Sequence, residues 1–377
     1  MSRRFARAFP VVLASALALV AGCQSSSGGG SGPRLAIIFD DSLGQASLGS
    51  EAKRGAMLAV EEKGAAFDAV YYGDAGAVEA ARESVAAVGF TDSDELRVAL
   101  PAFAAAGTPL FVAGATDPCL LVEPGAHLLG FACFSDPMQG AAMAEFAHER
   151  LGVREAVVLF DARSEFASAV GAAFTTAMRT LPGGKATVHA FSASFEEAVA
   201  AALAKQPGAV YVAALPQDAP QVVAALRTSG FAGPVLGPDS FDEPSIFASA
   251  VLGKVYYTTH AWLAGKGEPA VEAFVARYRR RFGAEPTAFA ALGYDATRVA
   301  IAAIGRAQGA GVVSRATVSR SLRELPPSEG LSGPLVPSLI GFPKKSVWIV
   351  EAASGARQLA SRWEPVRVPE ASCGKAR

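Results

Sequence analysis

The chain has 377 residues, of which 51% are hydrophobic and 18% charged. At about 100–200 residues per domain, that length suggests about two domains with real cores, and the apolar content excludes general disorder. With 34 basic and 35 acidic side chains the net charge is −1, which excludes a basic field able to hold a nucleic acid backbone.

Arg3, Arg4 and Arg7 open the chain with positive charge, and an apolar run follows from Pro10 to Ala21. A membrane-spanning helix needs about 20 apolar residues, so this shorter run reads as a signal segment. It ends in Leu19-Val20-Ala21-Gly22-Cys23, which resembles the lipobox of bacterial lipoproteins. The resemblance implies cleavage after residue 22, acylation of Cys23 and an extracytoplasmic body whose membrane contact is the lipid anchor alone. Residues 23–33, rich in Ser and Gly, read as a flexible tether.

Short apolar runs then alternate with helical stretches. Strands are expected at Arg34–Asp40, Phe67–Gly73, Val85–Phe90, Pro109–Gly114, Ala156–Asp161, Thr187–Phe191, Ala209–Ala214 and Pro234–Gly237. Near-continuous apolar strands of this kind suit a parallel sheet buried on both faces. Helices are expected at Ser50–Glu62, Asp94–Ala106, Pro137–Arg150 and Pro269–Phe282. In the last of these Val271, Phe274, Val275, Tyr278 and Phe282 share a face, Pro269 suits the first turn and Gly283 the cap. The pattern restarts near Leu151, returns to helix over Pro286–Leu325, and continues as mostly extended chain from Gly333 to Val350. Alternation of this length predicts an α/β protein of βαβ units in two lobes.

Enzyme signatures are missing. No P-loop, G-x-G-x-x-G or G-x-S-x-G pattern occurs, and His127, His148, His189 and His260 are scattered, without metal-ligand spacing. The acid pairs Asp40-Asp41 and Asp92-x-Asp94 follow expected strands, where Asp caps helices more often than it performs acid–base chemistry. No catalytic residue, metal or cofactor is expected. After Cys23 the cysteines are Cys119, Cys133 and Cys373. In an oxidising compartment any single pairing of these three is open; the nearby Cys119–Cys133 pair is expected, with Cys373 left over in a polar tail.

Two lobes in an exported chain suggest a small-molecule binder with its ligand at the strand ends. Six segments sharpen this. They are Ser42–Gly49 after the first strand, Gly89-Phe90-Thr91-Asp92-Ser93, Thr108–Thr116, Asp161–Phe166, Gly237-Pro238-Asp239, and Pro286–Phe289 with Gly293–Ala296. In this order, from about Arg34 to about Ala353, they resemble the branched-chain amino acid type of periplasmic binding protein. The resemblance implies a type I fold: two Rossmann-like lobes joined by three crossovers, near Ser135, Thr258 and Pro334. The lobes would comprise residues 34–134 with 259–333 and residues 135–258 with 334–363, leaving 364–377 as a tail.

The resemblance places the ligand on Ser42, Ser93, Gly114, Ala115, Thr116, Phe166, Asp239 and Phe289. Physically, Ser93 at a helix start and the Thr116 hydroxyl suit a carboxylate, while Gly114 and Ala115 let backbone approach. Asp239 suits an ammonium, and Phe166 and Phe289 supply walls. Leu43, Phe166 and Leu215 stand where that family carries hydroxyl or aromatic side chains, and Asp92 and Asp94 crowd Ser93 with negative charge. The implied function is capture of a small polar solute for an ABC importer, with its permease as partner. The same fold used as a sensor or envelope-regulatory lipoprotein is the alternative.

Overall fold

A computed structural model describes residues 32–39, 44–63, 67–192, 194–244, 246, 253–353, 356–366, 368, 370 and 373. The signal segment, Cys23, most of the tether and Ser42 lie outside the described residues.

Strands β1 (Arg34–Ile38), β2 (Asp68–Tyr72), β3 (Ala86–Gly89), β4 (Leu110–Val112) and β5 (Leu129–Phe131) form a parallel sheet in the order β2-β1-β3-β4-β5. Its apolar strands are buried by α1 (Ala46–Lys63), α2 (Ala77–Glu83) and α3 (Ser93–Ala106). After α4 (Asp136–Glu149) the second unit alternates β6 (Glu155–Asp161), α5 (Glu165–Thr180), β7 (Lys185–Phe191), α6 (Glu196–Leu203), β8 (Ala209–Ala213), α7 (Ala219–Thr228), β9 (Val235–Gly237) and β10 (Val255–Thr259). Helices α8 (Pro269–Phe282), α9 (Ala288–Gly309) and α10 (Arg315–Glu324) follow, then the small hairpin β11 (Ser328–Gly330) and β12 (Gly333–Leu335). The hairpin β13 (Val347–Ala353) and β14 (Ala356–Trp363) closes the second sheet, ordered β14-β13-β10-β9-β8-β6-β7, with β13 antiparallel to both its neighbours.

The chain therefore passes between the two α/β lobes after β5, after β10 and between β12 and β13. Helix α8 starts with Pro269 and ends on Gly283 at φ 67, a left-handed cap that only glycine adopts without strain. Strands β5, β10 and β14 fall outside the strands expected from the sequence, and β13 overlaps the end of the run expected to be extended. β5 has three residues, while β10, Val255-Tyr256-Tyr257-Thr258-Thr259, consists entirely of β-favouring residue types and so does carry a strand signal.

Helices α1 and α9 cross almost backbone to backbone. A Cβ on Gly55 would lie 1.8 Å from the Ala290 carbonyl oxygen, and one on Gly293 would lie 2.0 Å from that of Ala52. Glycine is required at both positions by close approach. α9 is long and apolar enough to cross a membrane, yet most of it packs inside the first lobe.

The cysteine pairing differs from expectation. Cys119 bonds to Cys373, with Cα atoms 5.3 Å apart, and Cys133 is free and buried. Cys133 follows β5 into the core, where its thiol donates to the Ala115 carbonyl at 3.3 Å and burial pushes its ionisation upward. Cys119 instead lies half-buried on the short 3-10 turn Pro118–Val122, accessible to the returning tail. Sequence proximity misleads because the two side chains face different environments.

Candidate functional site

The strand-to-helix turn after β3 passes through Phe90 at φ 59, an unusual conformation for a bulky residue. Asp92 then caps α3, its carboxylate accepting from the Asp94 amide at 2.7 Å and the Glu95 amide at 3.3 Å. Ser93, the first residue of α3, is 1% exposed, and its hydroxyl oxygen accepts from the Asp117 amide at 3.2 Å. After β4, Gly114 makes room for a neighbouring ring, since a Cβ there would lie 2.9 Å from Phe289.

Beyond Gly114 the chain enters a buried polar network at the crossovers. The Thr116 hydroxyl donates to Asp136 Oδ1 at 2.7 Å. Gln139, one turn along α4, donates through Nε2 to Asp136 Oδ1 at 2.9 Å and to Asp239 Oδ1 at 3.1 Å. Its Oε1 accepts from the Asp239 amide at 3.0 Å and from the Thr258 hydroxyl at 2.8 Å. His260 Nε2 meets Asp239 Oδ2 at 2.8 Å, while its ring stacks on Phe134 at 3.7 Å and meets the edge of Phe289 at 5.7 Å.

Electrostatically the network is acid-rich. Burial, reinforced by Asp117 and Asp239, raises the Asp136 carboxyl well above the ordinary range. Burial lowers the His260 imidazole despite the opposing pull of Asp239. Burial, then the two acids, raises Tyr211. Asp136 Oδ2, His260 Nδ1 and the Tyr211 hydroxyl have no hydrogen-bond partner among the described residues. These buried donors and acceptors suit recognition of a polar molecule. Among the described residues no group of three or more His, Cys, Asp or Glu is arranged to hold a metal ion.

The model of the periplasmic binding protein family matches residues 33–356. The chain belongs to the periplasmic binding protein family. A leucine-binding protein, LivK, from Thermotoga maritima superposes with a TM-score of 0.80 at 25% identity, covering 88% of this chain and 99% of that one. LivJ from Streptococcus pneumoniae, solved with isoleucine, gives 0.76 at 22% identity over 88% and 99% of the two chains. A solute-binding protein from R. palustris, solved with benzoate, gives 0.73 at 18% identity over 92% and 100%. No curated protein sequence matches the chain.

In this periplasmic binding protein Gly114, Thr116, Asp239 and Phe289 converge on the network, and Ser93 joins it through Asp117. Ala115 is fully buried in the first-lobe core, where its carbonyl accepts from the Cys133 thiol. Phe166 packs into the second-lobe core. Asp136, Gln139, His260 and Tyr211 are the residues sequence reasoning missed. Asp136 and Gln139 carry one local signal, a polar i,i+3 pair just before the small apolar run Gly140–Ala144.

At the rim, the two lobes of the periplasmic binding protein meet through α3 and α5. Asp94 Oδ2 accepts from the Glu165 amide at 3.1 Å, placing a carboxylate on the α5 N-terminus. Arg97 pairs with Asp117 and Glu165 and lies 3.2 Å from Glu123.

Proposed function

We propose that the protein captures a small polar solute, an amino acid or related compound, between its lobes and delivers it to the permease of an ABC importer. The observation that carries this reading is the buried network between the lobes, with three polar atoms unpartnered among the described residues. Solved neighbours that bind isoleucine and benzoate support a carboxylate-bearing ligand. In this reading Asp239 receives the ammonium, Thr116 and Ser93 face the carboxylate, Gly114 and Ala115 give backbone access, and Phe289 forms a wall. Ser42 and Phe166 complete the proposed set of ligand residues. Ligand binding biases closure of the lobes, and no chemistry is performed.

Calorimetric titration with the best hit of a thermal-shift screen over amino acids and small carboxylates tests this. Asp239→Asn should weaken binding by about 2–5 kcal/mol and Thr116→Val by about 1–3 kcal/mol. Unchanged affinity in both variants, with intact circular dichroism, refutes the assignment. The anchoring segment extends the proposal: acylation at Cys23 holds the protein at a bacterial membrane. Cys23→Ser should release it to the soluble fraction, and palmitate label retained in that variant would exclude Cys23 as the acceptor.

A further inference from the structure

An open groove of about 720 Å³ crosses the first lobe between the end of α3, the turn before β5 and helix α10. Arg315, Arg320, Arg323 and His127 line it, and no Asp or Glu is among its described lining residues. None of the three arginines has an ion-pair partner among the described residues. Arg315 donates to the backbone carbonyls of Arg82 and Ser84, and Arg323 to the His127 carbonyl and the Ser319 hydroxyl. Both guanidinium groups are therefore positioned while their charge stays unanswered. Large apolar side chains stand exposed beside them. Val312, whose carbonyl accepts from the Thr317 hydroxyl of α10, is 62% exposed. Ile340, in the adjoining cavity that His127 and Arg323 also line, is 61% exposed.

The groove lies at the end of the lobe where the chain enters. Gly107 and Leu128 come just before β4 and β5 of the first sheet, whose parallel strands all begin at one edge. Arg315 rests on the Ser84 carbonyl, and the next amide, that of Val85, donates to the Arg34 carbonyl at the start of β1. Eight residues separate Cys23 from Gly32, a segment that spans at most about 32 Å. An acylated Cys23 thus keeps this edge of the sheet next to the bilayer, with the ligand residues at the opposite strand ends.

We propose that this face of the first lobe docks on a surface of anionic phospholipid, a reading that rests on acylation at Cys23. Arg315, Arg320 and Arg323 meet lipid phosphates, while Val312 and Ile340 enter the headgroup layer. The chain as a whole has a net charge of −1, so attraction to an anionic surface has to come from a local face such as this one. A body docked in this way turns its cleft away from the bilayer and must be released before it delivers solute to a permease.

The test is flotation of the mature chain, residues 23–377 carrying Cys23→Ser, with lipid vesicles, so that docking is read without acylation. Palmitate labelling of the wild type reads the anchor separately. At low salt, vesicles of about one-third phosphatidylglycerol in phosphatidylcholine should bind the protein at least tenfold more strongly than phosphatidylcholine alone. High salt should remove the difference. Arg320→Glu, at an exposed side chain with no hydrogen bond among the described residues, should weaken binding at least about fivefold. Arg280→Glu, exposed on α8, makes the same change of net charge and should alter binding less than about twofold. Ile340→Ser should weaken it severalfold, and the soluble headgroup glycerophosphoglycerol should not displace the protein. Absence of binding or equal binding to both kinds of vesicle overturns the proposal. So do equal losses in Arg320→Glu and Arg280→Glu, full binding by Ile340→Ser, or displacement by the soluble headgroup.

Discussion

At the rim of the cleft the lobes meet through Arg97 and Glu165, whose side chains are 22% and 68% exposed. At the crossovers they meet through Asp136, Gln139, Asp239 and His260, none more than 2% exposed. Water competes for the Arg97–Glu165 pair, so it contributes about 0–1 kcal/mol and is remade as easily as it breaks. Water does not reach the crossover network, where a group losing its partner costs about 1–3 kcal/mol. The rim is thus suited to opening and closing with each ligand. In the network a broken bond must be answered by another buried polar group, such as one carried by a ligand. Similar polar residues serve opposite purposes because their solvation differs.

The strongest way to break this contrast is Gln139→Leu. It strips hydrogen bonds from Asp136, Asp239 and Thr258 at once. A loss of about 3–5 kcal/mol is expected in urea unfolding. A loss below about 1 kcal/mol would place the network on the same footing as the rim.

Lys345, on the third crossover, sharpens the contrast through pH. Its ammonium donates to the Ala132 carbonyl on the first crossover and to the Ser332 hydroxyl at 2.8 Å, and burial lowers it from 10.5 to about 8. Between those values the folded state has released a proton that the unfolded chain retains, so this residue makes stability rise with pH across the window. Lys345→Met should flatten the rise, measured as the difference between wild type and variant in urea unfolding at a series of alkaline pH values. An identical slope in both proteins would show that Lys345 titrates as if exposed.

Glu165→Gln should have the smallest effect. It removes one partner of Arg97 at the rim, and stability should change by less than about 1 kcal/mol. The ligand-free protein should nonetheless become more open in small-angle X-ray scattering, and moderate salt should produce the same change in wild type. A large stability loss without opening would mean that the rim is structural.

The strands that begin the first sheet, and α8 with its Pro269 start and Gly283 cap, were readable because each depends on neighbours within a few residues. β5 was not, being three residues long; β10 carries β-favouring residues throughout, and its polar Thr258 and Thr259 are buried between β9 and β13. At the site, Thr116 and Asp239 were legible as polar residues at strand ends. Gln139 was not, since its bond to Asp239 spans 100 residues and nothing near it in the chain announces that partner. His260 reads as an isolated histidine until Asp239 and Phe134 are brought against it.

By itself the sequence determined the alternation of strand and helix, the two-lobed α/β fold, and the strand-end turns that face the cleft. Those follow from apolar periodicity, capping residues and glycine, all short-range properties of the chain. Only the tertiary structure decided that Cys119 bonds Cys373 across 254 residues while Cys133 stays reduced in the core. It alone decided that Thr116 and Asp239 meet Asp136 and Gln139 within one network. Which polar groups become partners depends on where three crossovers bring distant segments together and exclude water, and no local pattern encodes that solvation.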